Sequence, residues 1–86
     1  MKEFNYTITD PDGVHARPAG ILVSEAEKYK SSITLEKDGK KGDAKRIFSV
    51  MGLGIKCGQT VNVKVEGADE ENAAVEIEEF LKENCL

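Results

Sequence analysis

The segment from residue 60 to residue 66 reads Thr-Val-Asn-Val-Lys-Val-Glu, with valine at every second position. This period of two is typical of a β-strand that buries one face and exposes the other. A run near the start of the chain alternates in the same way and places Phe4, Tyr6 and Ile8 on one face. Strands of this kind need a layer that covers their apolar side, so we expect a sheet covered by helices.

Two longer segments have the helical spacing that supplies such a cover. One begins at Ala16 and is expected to end at Ser31-Ser32, with its apolar residues on a single stripe. The other follows Asp69, a residue type that caps helices with its side chain, and runs through Leu81. On the first helix, the charged residues expected to face water are Glu25, Glu27, Lys28 and Lys30.

Between these helices we predict a strand over residues 33–37, a hairpin turn at Asp38-Gly39 and a polar edge strand from Lys40 to Ala44. The apolar segment from Ile47 to Leu53 is interpreted as one or two turns of helix. The complete order is β-α-β-β-α-β-α, an α+β fold with a mainly antiparallel sheet and helices on one face. With 86 residues, the chain is expected to form a single domain, residues 1–86.

The charge and the composition of the chain argue against several classes of function. The net charge is −4, with 16 acidic residues, whereas nucleic-acid binding usually needs a basic stripe. No apolar run approaches the roughly 20 residues of a membrane span, and the first residues lack a signal-peptide pattern, so we expect a cytoplasmic protein without membrane insertion. Cys57 and Cys85 suit neither a disulfide scaffold nor a zinc site with the single, distant histidine. We therefore expect no metal and no cofactor, and a redox role for either cysteine stays open.

The histidine lies in the segment Gly-Val-His-Ala-Arg-Pro-Ala, residues 13–19. Pro18 lacks a backbone N–H and prefers the helical φ, so it belongs in the first turn of the helix and places His15 at or just before the helix start. Free N–H groups and the helix dipole make such a position suitable for anions, phosphate included. The dipole also disfavours imidazolium, which leaves a neutral, nucleophilic ring. The planar guanidinium of Arg17 suits phosphoryl oxygens.

These residues predict a phosphoryl acceptor, although a lone surface histidine is more often an ordinary polar residue. No general base, metal cluster or glycine-rich phosphate loop accompanies His15 in the sequence. A small domain with one nucleophile and no pocket is poorly equipped for turnover, so we predict a group carrier rather than an enzyme. The alternative is a plain interaction domain with an incidental histidine, which would not require Arg17 and Pro18 beside it.

Residues 13–19 resemble the active-site signature of the HPr family, the phosphocarriers of the bacterial phosphoenolpyruvate-dependent sugar phosphotransferase system. The resemblance runs end to end and includes Lys45, Ile47, Phe48, Met51, Leu53-Gly54, Gly58 and Gly67-Ala68-Asp69-Glu70. It implies an open-faced β-sandwich of four antiparallel strands with three helices on one side. It also implies that His15 accepts a phosphoryl group on Nδ1 from phosphorylated enzyme I and passes it to the A domains of sugar-specific permeases, while Arg17 steadies that group.

The resemblance further implies a partner-binding surface on the first and second helices, formed by Gly20, Ile21, Ser24, Ile47, Phe48 and Met51. A helix of one or two turns cannot turn all its apolar residues inward, so an exposed apolar docking patch is expected there. The alternative, that these side chains only cap the sheet, stays open because apolar surface residues are common. We expect the protein to be a monomer.

Position 46 departs from the family pattern. Family members usually have a serine there, which caps the second helix and which a dedicated kinase phosphorylates in many Gram-positive members. Arg46 has no hydroxyl group, and arginine is a poor N-cap. Ser49 lies one helical turn further on and is a poor substitute, so we expect no regulatory seryl phosphorylation. This weakens the alternative of an HPr-like regulator that binds enzymes or transcription factors.

Overall fold

A computed structural model of the chain contains its elements in the predicted order. The strands are β1 Lys2–Thr7, β2 Ser32–Lys37, β3 Lys40–Asp43 and β4 Thr60–Glu66, and the helices are α1 Ala16–Ala26, α2 Ile47–Met51 and α3 Glu70–Glu83. The structure describes residues 1–84 and 86, so the question of a redox role for Cys85 lies outside the described residues. Across the described part of the chain, no helix is both long and apolar enough to cross a membrane.

Strand β4 lies inside the sheet, which has the order β1-β4-β2-β3 with antiparallel neighbours throughout. Val63 of β4 pairs with Phe4 of β1 on one side and with Leu35 of β2 on the other. The alternate valines of β4 are buried in one core with Leu22 of α1 and Ile77 of α3. Burial of a valine, leucine or isoleucine side chain contributes about 1.5–3 kcal/mol. The predicted open-faced α+β sandwich is therefore confirmed.

Helix α1 ends at Ala26, earlier than the predicted end at Ser31-Ser32. The residues that follow form tight turns, and the N–H groups of Lys30 and Ser31 donate to the Asp69 carboxylate instead of continuing the helix. Asp69 lies 38 positions beyond Ser31, so the segment that follows α1 is held by a residue far along the sequence.

The prediction that Glu25 faces water was wrong, because its side chain is buried at the end of α1. Its carboxylate accepts a hydrogen bond of 2.9 Å from the Tyr29 hydroxyl and forms an ion pair of 2.9 Å with Lys28 Nζ. A buried carboxylate needs such partners to offset its lost hydration. Burial and the hydrogen bond to Glu25 together raise the pKa of Tyr29 to about 12.

Asp69 occupies the N-cap position of α3, as predicted, but its side chain does not cap that helix. Its two carboxylate oxygens instead accept hydrogen bonds from the N–H groups of Lys30 and Ser31 and from the Ser31 hydroxyl. Near the start of α3, the Glu70 carboxylate accepts a hydrogen bond of 3.2 Å from the Gly67 N–H. Asp69 therefore joins the α1–β2 connection to the β4–α3 connection.

Candidate functional site

His15 is the residue that precedes α1, with an extended backbone at φ −96° and ψ −160°. Its carbonyl accepts the first helical hydrogen bond, from the Ala19 N–H at 2.9 Å. The N–H groups of Ala16 and Arg17 precede that bond and have no partner within the helix, and Pro18 has no N–H to leave unpaired. The His15 side chain does not cap the helix and is 46% exposed. The imidazole thus lies beside the positive end of α1 and is open to solvent.

The loop before His15 is held in place by its own turn. The Asp10 carbonyl accepts the Gly13 N–H at 2.9 Å, and the Asp10 side chain accepts the Asp12 N–H at 2.9 Å. Gly13 has a φ of +73°, and a Cβ at this position would lie 2.5 Å from the carbonyl oxygen of Ile55. Only glycine combines that backbone conformation with so close an approach.

Two further segments fix the same loop to the core. The Val14 N–H donates to the Ile55 carbonyl at 2.9 Å, and the Thr9 N–H donates to Leu86 O at 2.7 Å. The side chains of Val14, Pro18 and Leu86 are buried together in the apolar interior. The apolar residues on each side of His15 therefore anchor the loop, while the imidazole itself stays outside the core.

His15, Arg17 and Pro18 line one open cleft of about 330 Å³, so the structure brings the three predicted site residues together. Two acidic residues of the loop line it as well, Asp10 and Asp12. The Asp12 Oδ2 atom lies 3.9 Å from His15 Nε2. The Arg17 side chain is exposed to solvent at the start of α1.

Asp10 and Asp12 were not among the site residues predicted from the sequence. Asp10, Asp12 and His15 each offer one potential metal-ligand atom, and these atoms lie within 4.8 Å of one another. The Asp-Pro-Asp-Gly spacing, which predicts a turn, was the available signal, because the turn brings both carboxylates back towards the histidine. Asp10 already accepts the Asp12 N–H, which accounts for its position without a ligand.

The residues expected to bind partners lie on α1 and α2, which pack against each other. A Cβ at Gly20 would lie 3.7 Å from Ile47 Cδ1, an ordinary contact distance, so Gly20 faces Ile47 where the two helices meet. Ile47 and Met51 are half-buried against the core, whereas Phe48 is 83% exposed. Along α1, Gly20, Ile21 and Ser24 line one groove with Arg17. The exposed apolar surface on α2 is therefore concentrated in Phe48.

Asp43 is the last residue of β3, which ends one residue before the predicted Ala44. Its hydrogen bonds hold the turn into α2. Its carboxylate accepts the Lys45 N–H at 2.9 Å, and its own N–H donates to Ser49 Oγ at 2.9 Å. Arg46 stands at the N-cap of α2 without a side-chain cap hydrogen bond, and its Nε lies 3.7 Å from Asp43 Oδ2. The half-buried Ser49 hydroxyl is thus occupied within the turn.

Comparison with known proteins decides the family. Residues 2–83 match the sequence profile described as "PTS HPr component phosphorylation site". The chain belongs to the HPr family. A phosphocarrier protein HPr from Mycoplasma genitalium is 46% identical over 85 residues, covering 98% of this chain and 97% of that protein.

Solved HPr structures share the fold over nearly the whole chain. A mycoplasma histidine-containing phosphocarrier protein has a TM-score of 0.94 at 36% identity and covers 99% of this chain and 97% of its own. HPr-C-His from Thermoanaerobacter tengcongensis has a TM-score of 0.88 at 43% identity, with coverage of 98% and 93%. Another structure from that organism is of an HPr dimer, with a TM-score of 0.72 and coverage of 98% and 95%. Family membership makes the chain a phosphocarrier protein of the phosphotransferase system.

Proposed function

We propose that His15 accepts a phosphoryl group on Nδ1 from phosphorylated enzyme I and passes it to the A domains of sugar-specific permeases. The chain then serves phosphoenolpyruvate-dependent sugar uptake in the cytoplasm as one domain, residues 1–86, and as a stoichiometric carrier rather than an enzyme. The observation that carries this proposal is the position of the half-exposed imidazole directly before α1, in one cleft with Arg17.

The chemistry of the step follows from that position. The Nδ1 lone pair forms a bond to phosphorus while the bond from phosphorus to the donor breaks, and its electron pair leaves with the donor. The transferred group brings negative charge to the start of α1, where the N–H groups of Ala16 and Arg17 and the helix dipole stabilise it. The Arg17 guanidinium supplies further donors in a planar fork. The proposed phosphoryl transfer uses no metal and no cofactor.

For partner binding we propose the surface predicted from the sequence, formed by Gly20, Ile21, Ser24, Ile47, Phe48 and Met51. The exposure of Phe48 supports it, because this aromatic side chain lies 83% exposed beside the half-buried Ile47 and Met51, and aromatic residues are enriched in protein interfaces. We propose a monomer as the active form. Size-exclusion chromatography with light scattering tests this point, since a related HPr also has a dimeric crystal structure.

Regulation by seryl phosphorylation is not part of the proposed function. Arg46 has no hydroxyl group, and Ser49 Oγ already accepts the Asp43 N–H inside the turn. A phosphoryl group on Ser49 would disrupt that contact next to Gly42, where even a Cβ would approach Ser49 Oγ to 3.2 Å. The packing therefore argues against Ser49 as a substitute site, and with it against the regulatory alternative.

Incubation with phosphoenolpyruvate and enzyme I, followed by intact mass measurement, tests the proposal. We expect one acid-labile phosphoryl group on the wild-type chain and none on His15→Ala. The matched control is Ser49→Ala, which should still gain the group. An acid-stable adduct, an adduct on His15→Ala, or no adduct with several sources of enzyme I would refute the carrier function.

Arg17→Ala tests the second residue of the site. Because removal of one charged donor from an anion site lowers rates strongly, we expect phosphoryl transfer to slow by roughly 10- to 100-fold. The transfer rate of Arg17→Lys should lie between the rates of wild type and Arg17→Ala, since lysine keeps the charge but not the planar fork. Circular dichroism should be unchanged in both variants, and an unchanged transfer rate for Arg17→Ala would remove this residue from the site.

A further inference from the structure

The Asp12 carboxylate lies on the Nε2 side of the candidate phosphoryl acceptor, and a carboxylate oxygen of Asp10 lies within 4.8 Å of an imidazole nitrogen. Asp12 Oδ2 is 3.9 Å from His15 Nε2, three residues earlier in the chain. The backbone of Asp12 is fixed, because its N–H donates to Asp10 Oδ1 and the following Gly13 closes the turn by donating to Asp10 O. The turn therefore fixes the backbone of Asp12 beside the imidazole, while the Asp12 side chain is 81% exposed.

The position of that carboxylate matters because a neutral imidazole carries one proton, on either Nδ1 or Nε2. The protonated nitrogen has no free lone pair and cannot attack phosphorus. A carboxylate beside Nε2 stabilises the partial positive charge of an Nε2–H group, so it favours the tautomer with a free lone pair on Nδ1. The His15 side chain forms no cap hydrogen bond with α1, so no bond of that kind favours the opposite tautomer.

We propose that Asp12 is a positioning residue that keeps the proton of His15 on Nε2 and so leaves Nδ1 as the attacking nitrogen. This inference rests on the proposed function and adds how the acceptor atom is selected. During transfer, the Nδ1 lone pair forms the bond to phosphorus, the donor leaves with the electron pair of the broken bond, and the proton stays on Nε2. The positive charge that the ring gains at this stage lies next to the Asp12 carboxylate, which stabilises it.

The proton position is measured directly by ¹⁵N NMR of the imidazole nitrogens, on the neutral ring and with EDTA present so that no metal holds either nitrogen. We expect Asp12→Asn to shift the tautomer ratio towards Nδ1–H by roughly twofold, less than the effect of an exposed pair of full charges, because the neutral ring carries only partial charges. Asp12→Glu should keep most of the wild-type tautomer ratio because it keeps the negative charge.

Asp38→Asn is the matched control. It removes the same charge from an exposed turn, and asparagine tolerates the φ of +51° at that position. We expect no change in the His15 tautomer ratio in this variant. An equal ratio in wild type and Asp12→Asn, or an equal shift in Asp38→Asn, would overturn the inference.

The same four proteins are then phosphorylated by enzyme I, and the initial rate should fall at least in proportion to the remaining Nε2–H share, because Asp12→Asn also removes the charge that stabilises the ring during transfer. A shifted ratio with an unchanged rate would overturn the positioning role. Failure of the proposed function has a different signature: the wild-type chain then gains no phosphoryl group, while the tautomer ratio still responds to Asp12→Asn.

Discussion

The Asp69 carboxylate accepts hydrogen bonds from both the hydroxyl and the backbone N–H of Ser31, a fully buried residue. A third bond comes from the Lys30 N–H at 3.0 Å. The Ser31 hydroxyl, followed by the Lys30 N–H, holds the pKa of Asp69 below its usual range. The connections at the ends of α1 and β4 are therefore joined by one ionised group.

We expect Asp69→Asn to lower the urea midpoint at pH 7 and to reduce the loss of stability in acid. Because the pKa is lower in the folded chain than its value of about 3.9 in an unfolded chain, the unfolded chain binds more protons between the two values. The stabilisation is present above the unfolded pKa and disappears as the pH falls through the folded one. Urea titrations from pH 7 down to pH 2.5 measure this difference.

Glu70 contributes to the same pH window, since its hydrogen bonds to the N-terminal amino group and the Gly67 N–H lower its pKa. The prediction therefore concerns the difference between wild type and Asp69→Asn. Glu79→Gln removes one charge from an exposed position of α3 and serves as the control. Parallel stability curves for wild type and Asp69→Asn would contradict the prediction.

Gly13→Ala and Gly54→Ala form a matched pair that tests the loop before His15. Both glycines have a left-handed backbone, at φ +73° and +61°, where alanine costs roughly 1–2 kcal/mol. At Gly54 an added Cβ meets nothing within 4 Å, whereas at Gly13 it would clash with Ile55 O at 2.5 Å. We expect a loss of about 1 kcal/mol for Gly54→Ala and about 2–4 kcal/mol for Gly13→Ala, measured by chemical denaturation. Equal losses would contradict the close packing of this loop.

Local patterns were sufficient to predict much of the fold. The alternation of residues 60–66 places β4 correctly because each of its valines faces the same core. Pro18 placed His15 before α1 because its missing N–H fits only the first turn. In both cases the pattern and its cause lie within a few residues of each other.

The features that were predicted wrongly depend on contacts between residues far apart in the sequence. The Asp69 carboxylate binds the N–H groups of Lys30 and Ser31, which are 39 and 38 positions away, so neither segment alone predicts the side-chain role of Asp69. The burial of Glu25 depends on how α1 packs in the fold. The approach of Asp12 to His15 is local, but it requires the Asp10 turn to be known in three dimensions.

Arg46→Ser is expected to stabilise the protein by about 0.5–1 kcal/mol, because serine caps a helix with its side chain and arginine does not. The substitution loses only the exposed contact of 3.7 Å between Arg46 and Asp43, and pairs of this kind contribute little. Thermal denaturation measures the gain. Arg46→Ala removes the same contact without adding a cap, so it should give no gain; equal stability of the two variants would contradict the capping argument.

Phe48→Ala is expected to leave stability within about 0.5 kcal/mol of wild type, because the side chain is 83% exposed and contributes little to the core. If Phe48 is a docking residue, its removal should weaken binding to enzyme I by roughly 5- to 30-fold, as for an aromatic residue central to an interface. Calorimetric titration measures this affinity. Val75→Ala is the control, since Val75 is 56% exposed on α3, outside the proposed docking surface, and its removal should leave binding unchanged. Equal affinities for the two variants would place the partner-binding surface elsewhere.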